Sequence, residues 1–239
     1  MSIGKKFQQE TKYIRDEIPS GFYEQDAPAL PFKSYPDAKK ITLPPPLHSG
    51  GPEIWDVMMK RRSARVYGAD VVSSEDLSQL LWAGQGITAD HHGFLLRTAP
   101  SAGALYPIET YVGVANVKNV PEGLYHYDVR TAELSQLVSG DVSKELAEAA
   151  LGQRMVQSAA VVFLWTAVFA RSGVKYKDRG YRYVYLDCAH AAHSVLLAVT
   201  ALGLSACPIA ALYDEEINAL LGIDGDTESI LYMASIGTE

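Results

Sequence analysis

The spacing of apolar positions changes several times along the chain, and each change marks an element. Residues 1–51 keep no period: polar and charged residues are dotted with Phe7, Tyr13, Phe22, Tyr23, Phe32 and Tyr35, and the stretch closes on Pro44, Pro45, Pro46 and the Gly50, Gly51 pair. Proline lacks the amide a helix requires, so this reads as an extended arm whose aromatic residues favour lying on a surface. From Pro52, which suits a first helical turn, Ile54, Trp55, Met58 and Met59 recur at helical spacing up to Arg61 and Arg62. A second helix opens at Ser73 or Ser74 with acidic residues in its first turn and carries Leu77, Leu80, Leu81 and Trp82 to Gly84 and Gly86, after which a loop is expected.

The composition then becomes strand-like. Segments 109–115, 123–128 and 132–138 read as adjacent strands, and a helix from about Ser143 to Leu151 follows. The uninterrupted β-branched and aromatic run 159–169 is expected to be a strand covered on both faces, at the centre of the sheet. The longest helical pattern runs from Arg179 to Leu204; a short strand or extended segment from Cys207, a helix over 214–223 and a last strand over 229–237 complete the chain. This organisation is an α/β chain with an arm over 1–51 and a single domain over 52–239.

Composition narrows the class. Apolar residues make up 48% and charged residues 21%, as in a globular protein, and no low-complexity tract interrupts them. With 21 basic against 28 acidic residues the net charge is -7, which lacks the dense basic face that nucleic acid or an anionic membrane requires. The N-terminus has no apolar secretory core, and the two cysteines, Cys188 and Cys207, suit a reducing compartment, so a cytoplasmic location is expected. The apolar stretch 189–213 is interrupted by His190, His193, Gly203 and Pro208, and reads as a core helix running into a strand.

Two segments carry candidate chemistry. In RRSARVYG, residues 61–68, Arg61, Arg62 and Arg65 offer forked donors and Ser63 a hydroxyl, a set that satisfies the oxygens of a phosphate monoester; a solvated basic helix end has the same spacing. In RTAPSAGALYPIE, residues 97–109, Pro100, Ser101, Ala102, Gly103, Ala104 and Leu105 follow Arg97, and their small side chains let backbone amides approach a flat ligand; a plain turn is the alternative. Asp187, Cys188, His190 and His193 share one helix without a second ligand segment, so no metal site is expected there and buried, hydrogen-bonded imidazoles are. His91 and His92 fall in a polar, solvent-exposed loop.

These two motifs, in this order, resemble the nitroreductase-like FMN oxidoreductases over roughly residues 52–237. PSAGALYPIE, GLYHYD and the stretch KYKDRGYRYVYLDCAHAAHSVLLAVTALGLSACPIAAL are most similar to the SagB/ThcOx-type branch, which oxidises thiazoline or oxazoline rings in peptides. The resemblance implies a three-layer α-β-α fold of α/β (α+β) class with a mixed central sheet. It also implies an intertwined homodimer and one FMN at each of two sites built from both subunits. It places the FMN phosphate and ribityl end on Arg61, Arg62, Ser63 and Arg65, and the ring along Pro100 to Leu105. Pro208, Ile209, Ala210 and Ala211 supply backbone near the reactive nitrogen. Lys175 and Tyr176 match a Lys-Tyr pair that removes a proton as hydride leaves the substrate, and Arg171, Lys177 and Arg179 are expected to favour a neutral Lys175 by like-charge repulsion.

The chain departs from the pattern in two ways. Ala104 stands where ordinary nitroreductases usually carry an amide side chain, and no basic residue follows the last strand. FMN is then expected to be held less tightly, or by Arg97 or Arg182. Three functions stay open: an azoline-type dehydrogenase acting on a small heterocyclic or peptide-borne substrate, an NAD(P)H-dependent nitro or quinone reductase, and a flavin-binding protein without turnover.

Overall fold

The computed structural model describes residues 1–15 and 29–239, so Phe22 and Tyr23 lie outside the described residues. In chain order these residues form α1 (Ile3–Glu10), β1 (Lys40–Thr42), α2 (Ile54–Lys60), α3 (Ser74–Gln85), β2 (Ile87–His91), β3 (Phe94–Arg97), β4 (Ile108–Val114), β5 (Gly123–Asp128) and β6 (Glu133–Ser139). They continue with α4 (Ser143–Ala149), α5 (Arg154–Gln157), β7 (Val161–Val168), α6 (Phe169–Tyr176), α7 (Gly180–Ala201), β8 (Ser205–Ile209), α8 (Asp214–Leu221) and β9 (Glu228–Gly237).

Seven strands pair in the order β1-β6-β5-β4-β7-β9-β8. Each of these ladders is antiparallel; parallel pairing among the described residues is confined to the isolated bridges Ser63–Ala206 and Val72–Val117. Successive side chains of a strand point to opposite faces. On one face Val112, Phe163 and Trp165 pack with Leu77 and Leu80 of α3 and Val184, Val195 and Val199 of α7. On the other, Tyr111, Leu164 and Met233 pack with Leu146, Val156, Ile217 and Leu221 of α4, α5 and α8. Helices therefore cover both faces, which gives the α-β-α layering and explains why all of β4 and nearly all of β7 are buried despite antiparallel pairing. The centre of the sheet is β4, with β7 beside it.

Local signals placed most elements. Ser73 caps α3 by accepting from the Asp76 amide at 2.9 Å, and the left-handed Gly222 ends α8. The long helix α7 buries nine residues along one side, among them Val184, Ala191, Ala192 and Val199, and lies against the sheet as a core helix. By length and composition the stretch Phe169–Ala201, α6 and α7 together, is also apolar enough to cross a membrane, a property that such core helices share.

Three expectations need correction. Residues 3–10 are helical, and residues 30–42 lie on this chain's own sheet. Lys33 Nζ donates to Tyr111 Oη at 2.7 Å and pairs with Glu228 at 2.5 Å, Arg171 Nε donates to the Leu30 carbonyl at 2.8 Å, and β1 joins the sheet edge at β6. The expected loop after α3 is the hairpin β2–β3, turned by a left-handed His92 and Gly93. On α2 only Val57 is buried; Trp55 (75% exposed) and Met59 (74%) face away from this chain's core.

Candidate active site

The basic turn that follows α2 is fixed by backbone and by a residue the sequence reading passed over. Ser63 bridges to Ala206 of β8, the Ala64 amide donates to the Ala206 carbonyl at 2.9 Å, and the Gly68 amide donates to the Thr238 carbonyl at 3.0 Å. The Tyr67 hydroxyl lies 2.7 Å from Ser235 Oγ and 3.1 Å from the Ala64 carbonyl, and burial pushes it up to about 12. Arg62 turns back to the Met59 and Arg61 carbonyls at 3.1 and 2.8 Å, closing the end of α2. Arg61 and Arg65 make no hydrogen bond or ion pair among the described residues, so their guanidinium donors stand open beside β8 with the exposed Ser63. Pro208 and Ile209 continue along the same strand, and the exposed Ala210 and Ala211 follow, the Ala211 carbonyl accepting from Gln153 at 3.1 Å.

The second motif forms a tight turn over Ala102–Ala104. Gly103, Ala104 and Tyr106 all have left-handed backbone, with φ of 66, 55 and 45 degrees, a conformation that costs residues with a Cβ about 1–2 kcal/mol each. A Cβ added to Gly103 would lie 2.7 Å from Tyr176 Oη and 3.0 Å from Lys175 Nζ, so the structure brings the Lys-Tyr pair directly onto this turn. Both residues sit in the last turn of α6, which breaks at Lys177 (φ 48 degrees) before α7 begins. The Tyr176 ring is edge-on to Tyr183 at 4.7 Å, and Lys175 Nζ is 5.3 Å from the Tyr176 centroid.

The basic residues expected around Lys175 are distributed otherwise. Arg171 is buried and pairs with Glu109 at 2.6 Å, where His126 Nε2 also lies 2.8 Å from the carboxylate. Burial alone would raise that carboxyl, but His126 and Arg171 outweigh it and hold Glu109 below the usual carboxylate range. Arg179 donates to the Thr11 carbonyl at 2.7 Å and to Tyr183 Oη at 3.2 Å, and Arg182 holds Thr11 Oγ1 and the Gln8 carbonyl, so Arg182 serves α1 and not the basic turn. Arg97 is 8% exposed and donates to Gln85 Oε1 at 2.7 Å beneath the Tyr106 ring; its guanidinium is an interior brace. Both cysteines are buried, and burial pushes the Cys188 thiol up to about 12. His190 and His193, expected to be buried, are exposed, because they fall on the outer side of α7.

The two halves of the candidate site lie at opposite ends of the sheet. Ala206, which holds the basic turn, aligns through Ile236 with Val161 of β7, whereas Ile108, which leaves the Gly103 turn, aligns with Ala167. At roughly 3.3 Å per residue the six steps between Val161 and Ala167 span about 20 Å, and the three strand steps from β8 to β4 add about 14 Å across. The donor set fits a phosphate-tailed, flat cofactor: open guanidinium groups at one half, and a glycine cradle that a Cβ would fill at the other.

A family model described as the nitroreductase family matches residues 58–238. The Methanocaldococcus jannaschii protein MJ1384, which bears a nitroreductase name, is 41% identical over 168 residues, covering 70% of this chain and 83% of that protein. The trifolitoxin-processing protein TfxB of Rhizobium leguminosarum bv. trifolii is 31% identical over 149 residues, 60% of this chain and 39% of TfxB. A crystal structure of a nitroreductase-named protein from Anabaena variabilis superposes with a TM-score of 0.79 at 26% identity. It covers 98% of this chain, which spans 46% of that longer one.

Proposed function

The chain belongs to the nitroreductase family of flavin oxidoreductases, and from that premise we propose that it is an FMN-dependent dehydrogenase of the SagB type, acting on a small heterocyclic or peptide-borne substrate. The observation that carries this reading is the contact of Lys175 and Tyr176 with the Gly103 turn, because it sets a proton acceptor against the backbone assigned to the flavin ring. The likeness to a protein named for trifolitoxin processing supports the same choice.

Arg61, Arg65 and Ser63 would hold the phosphate, and Pro208 to Ala211 and Pro100 to Leu105 would line the ring. When bound, FMN supplies a two-electron acceptor. The protein's part is to orient the substrate and to take up, at Lys175 Nζ or Tyr176 Oη, the proton that the substrate loses as hydride leaves it. A cofactor of ~31 heavy atoms at about -0.3 kcal/mol per atom would be retained at roughly -9 kcal/mol.

The distance between the halves supports a homodimer in which the basic turn of one chain faces the Gly103 turn of the other, with residues 52–239 as the flavin-binding domain, in a cytoplasmic protein. A second reading, an NAD(P)H-dependent nitro or quinone reductase, draws on the nitroreductase name of MJ1384, the relative matched over most of its length. An absorption spectrum of freshly purified protein tests the cofactor: flavin bands are expected, and Arg61→Ala with Arg65→Ala should abolish them. Rapid anaerobic bleaching by NADPH would select the reductase; bleaching by an azoline peptide and not by NADPH would select the dehydrogenase.

A further inference from the structure

The Gly103 turn raises a physical question, since left-handed Gly103, Ala104 and Tyr106 within four positions would not hold themselves in a loop of small residues. Within the turn, the Ala104 amide donates to the Ser101 carbonyl at 3.0 Å and the Tyr106 amide to Ser101 Oγ at 2.9 Å. Both bonds depend on where Ser101 sits. Ser101 is in turn placed by α7: its hydroxyl donates to Asp187 Oδ2 at 2.6 Å, and the Ala102 amide donates to the same carboxylate, 3.1 Å from Oδ1.

Asp187 is 5% exposed and forms no ion pair among the described residues. Burying a carboxylate outside any ion pair is unfavourable, and burial raises Asp187 above its ordinary value although Ser101, the Ala102 amide and the nearby His190 oppose it. Around it, α7 buries small and apolar residues that pack without any charge. What a carboxylate adds at this position is two acceptor oxygens, one for a hydroxyl and one for an amide, where an asparagine would offer one.

We propose that Asp187 is the positioning residue of the active site, fixing Ser101 and Ala102 so that Gly103 meets Lys175 and Tyr176. In functional terms this rests on the reading of residues 100–105 as flavin-facing; in structural terms it stands without it. Ser101 Oγ, Ala102 N and Ala104 N are then internal fasteners of the turn and not the groups that contact the ring.

Hydrogen exchange on the full chain, without added cofactor, tests the structural part. Asp187→Asn should speed exchange of the Ala102 and Tyr106 amides by about tenfold or more, the loss of a bond to a charged group, while the amides of β4, β7 and α7 keep their protection. Titration with FMN, followed by flavin fluorescence and by the position of the visible bands, tests the functional part: affinity should fall about tenfold and the bound spectrum should shift. If Asp187→Asn fails to fold, Ser101→Ala carries the test, with a smaller change in the same direction that Ser101→Thr, which keeps the hydroxyl, partly restores. Unchanged exchange in both variants overturns the proposal. Wild-type protein that binds no FMN overturns the flavin reading, and the exchange result then decides the role of Asp187 by itself.

Discussion

A methyl group on Gly103 would meet the Tyr176 hydroxyl at 2.7 Å on a backbone already left-handed, so this position tests the candidate site with a small change. Gly103→Ala should lower global stability by only about 1–2 kcal/mol, because the turn lies at the rim of the core. Turnover should fall far more than that, with kcat reduced and KM little changed, since the displaced groups are those proposed to move the proton; steady-state kinetics with thermal unfolding separates the two effects. Glu109 predicts the opposite pattern. Glu109→Gln leaves Arg171 buried without its charge partner and should cost about 3–5 kcal/mol in urea unfolding. The pH dependence follows from the same pair. Because Glu109 titrates lower in the folded than in the unfolded chain, its contribution is present above the usual carboxylate range and lost as pH falls through the folded value, and the Gln variant should lose that part of the acid sensitivity. At this scale the sequence revealed residue types better than their assignments. The open donors of Arg61 and Arg65 agree with their spacing, but Arg97, equally basic and adjacent to the glycine turn, is an interior brace, because long-range partners such as Gln85 and Tyr106 decide where a guanidinium goes.

Elements with a strong period were legible, and those made by distant contacts were not. The helices α3 and α7 and the strands β4, β5, β6, β7 and β9 fall within a few residues of their expected places, because burial imposes a helical period on the former and a strand-like composition, continuous where both faces are covered, on the latter. The hairpin β2–β3 went unread because most of its side chains are exposed and no alternation is required of them. The helix α1 was hidden for a further reason: an eight-residue helix buries none of its own residues and is marginal by itself, and it is fastened by Arg179 and Arg182, some 170 positions away in sequence. Arg182→Ala should therefore release it. Exchange protection over residues 3–11 should fall toward that of an unfolded peptide while protection of the sheet is unchanged, and retained protection would mean that the bond of Arg179 to the Thr11 carbonyl and its contact with the Tyr13 ring suffice.

At the scale of the whole molecule, an apolar face and a divided site require the same explanation. Ile54, Trp55, Met58 and Met59 of α2 project outward beside the C-terminal end of α7, and an exposed apolar patch of this kind is the usual mark of an interface. The basic turn adjoins α2, whereas the Gly103 turn belongs to the far end of the sheet, so covering the face with a second copy could bring opposite halves together. A complementation experiment decides this without a structure of the dimer. One parent carries Arg61→Ala with Arg65→Ala, the other Lys175→Ala with Tyr176→Phe, and each alone should be inactive. If every site takes its basic turn from one chain and its Lys-Tyr pair from the other, a mixed dimer contains one intact site and one doubly altered site. Refolding the parents together at equal concentration makes about half of the dimers mixed, so about a quarter of wild-type turnover should return. If each site is built within a single chain, every site in the mixture keeps one lesion, and no activity returns at any ratio. Adding Trp55→Glu and Met59→Glu to both parents should remove the recovered turnover and shift sedimentation to the monomer, because both follow from burying the same face.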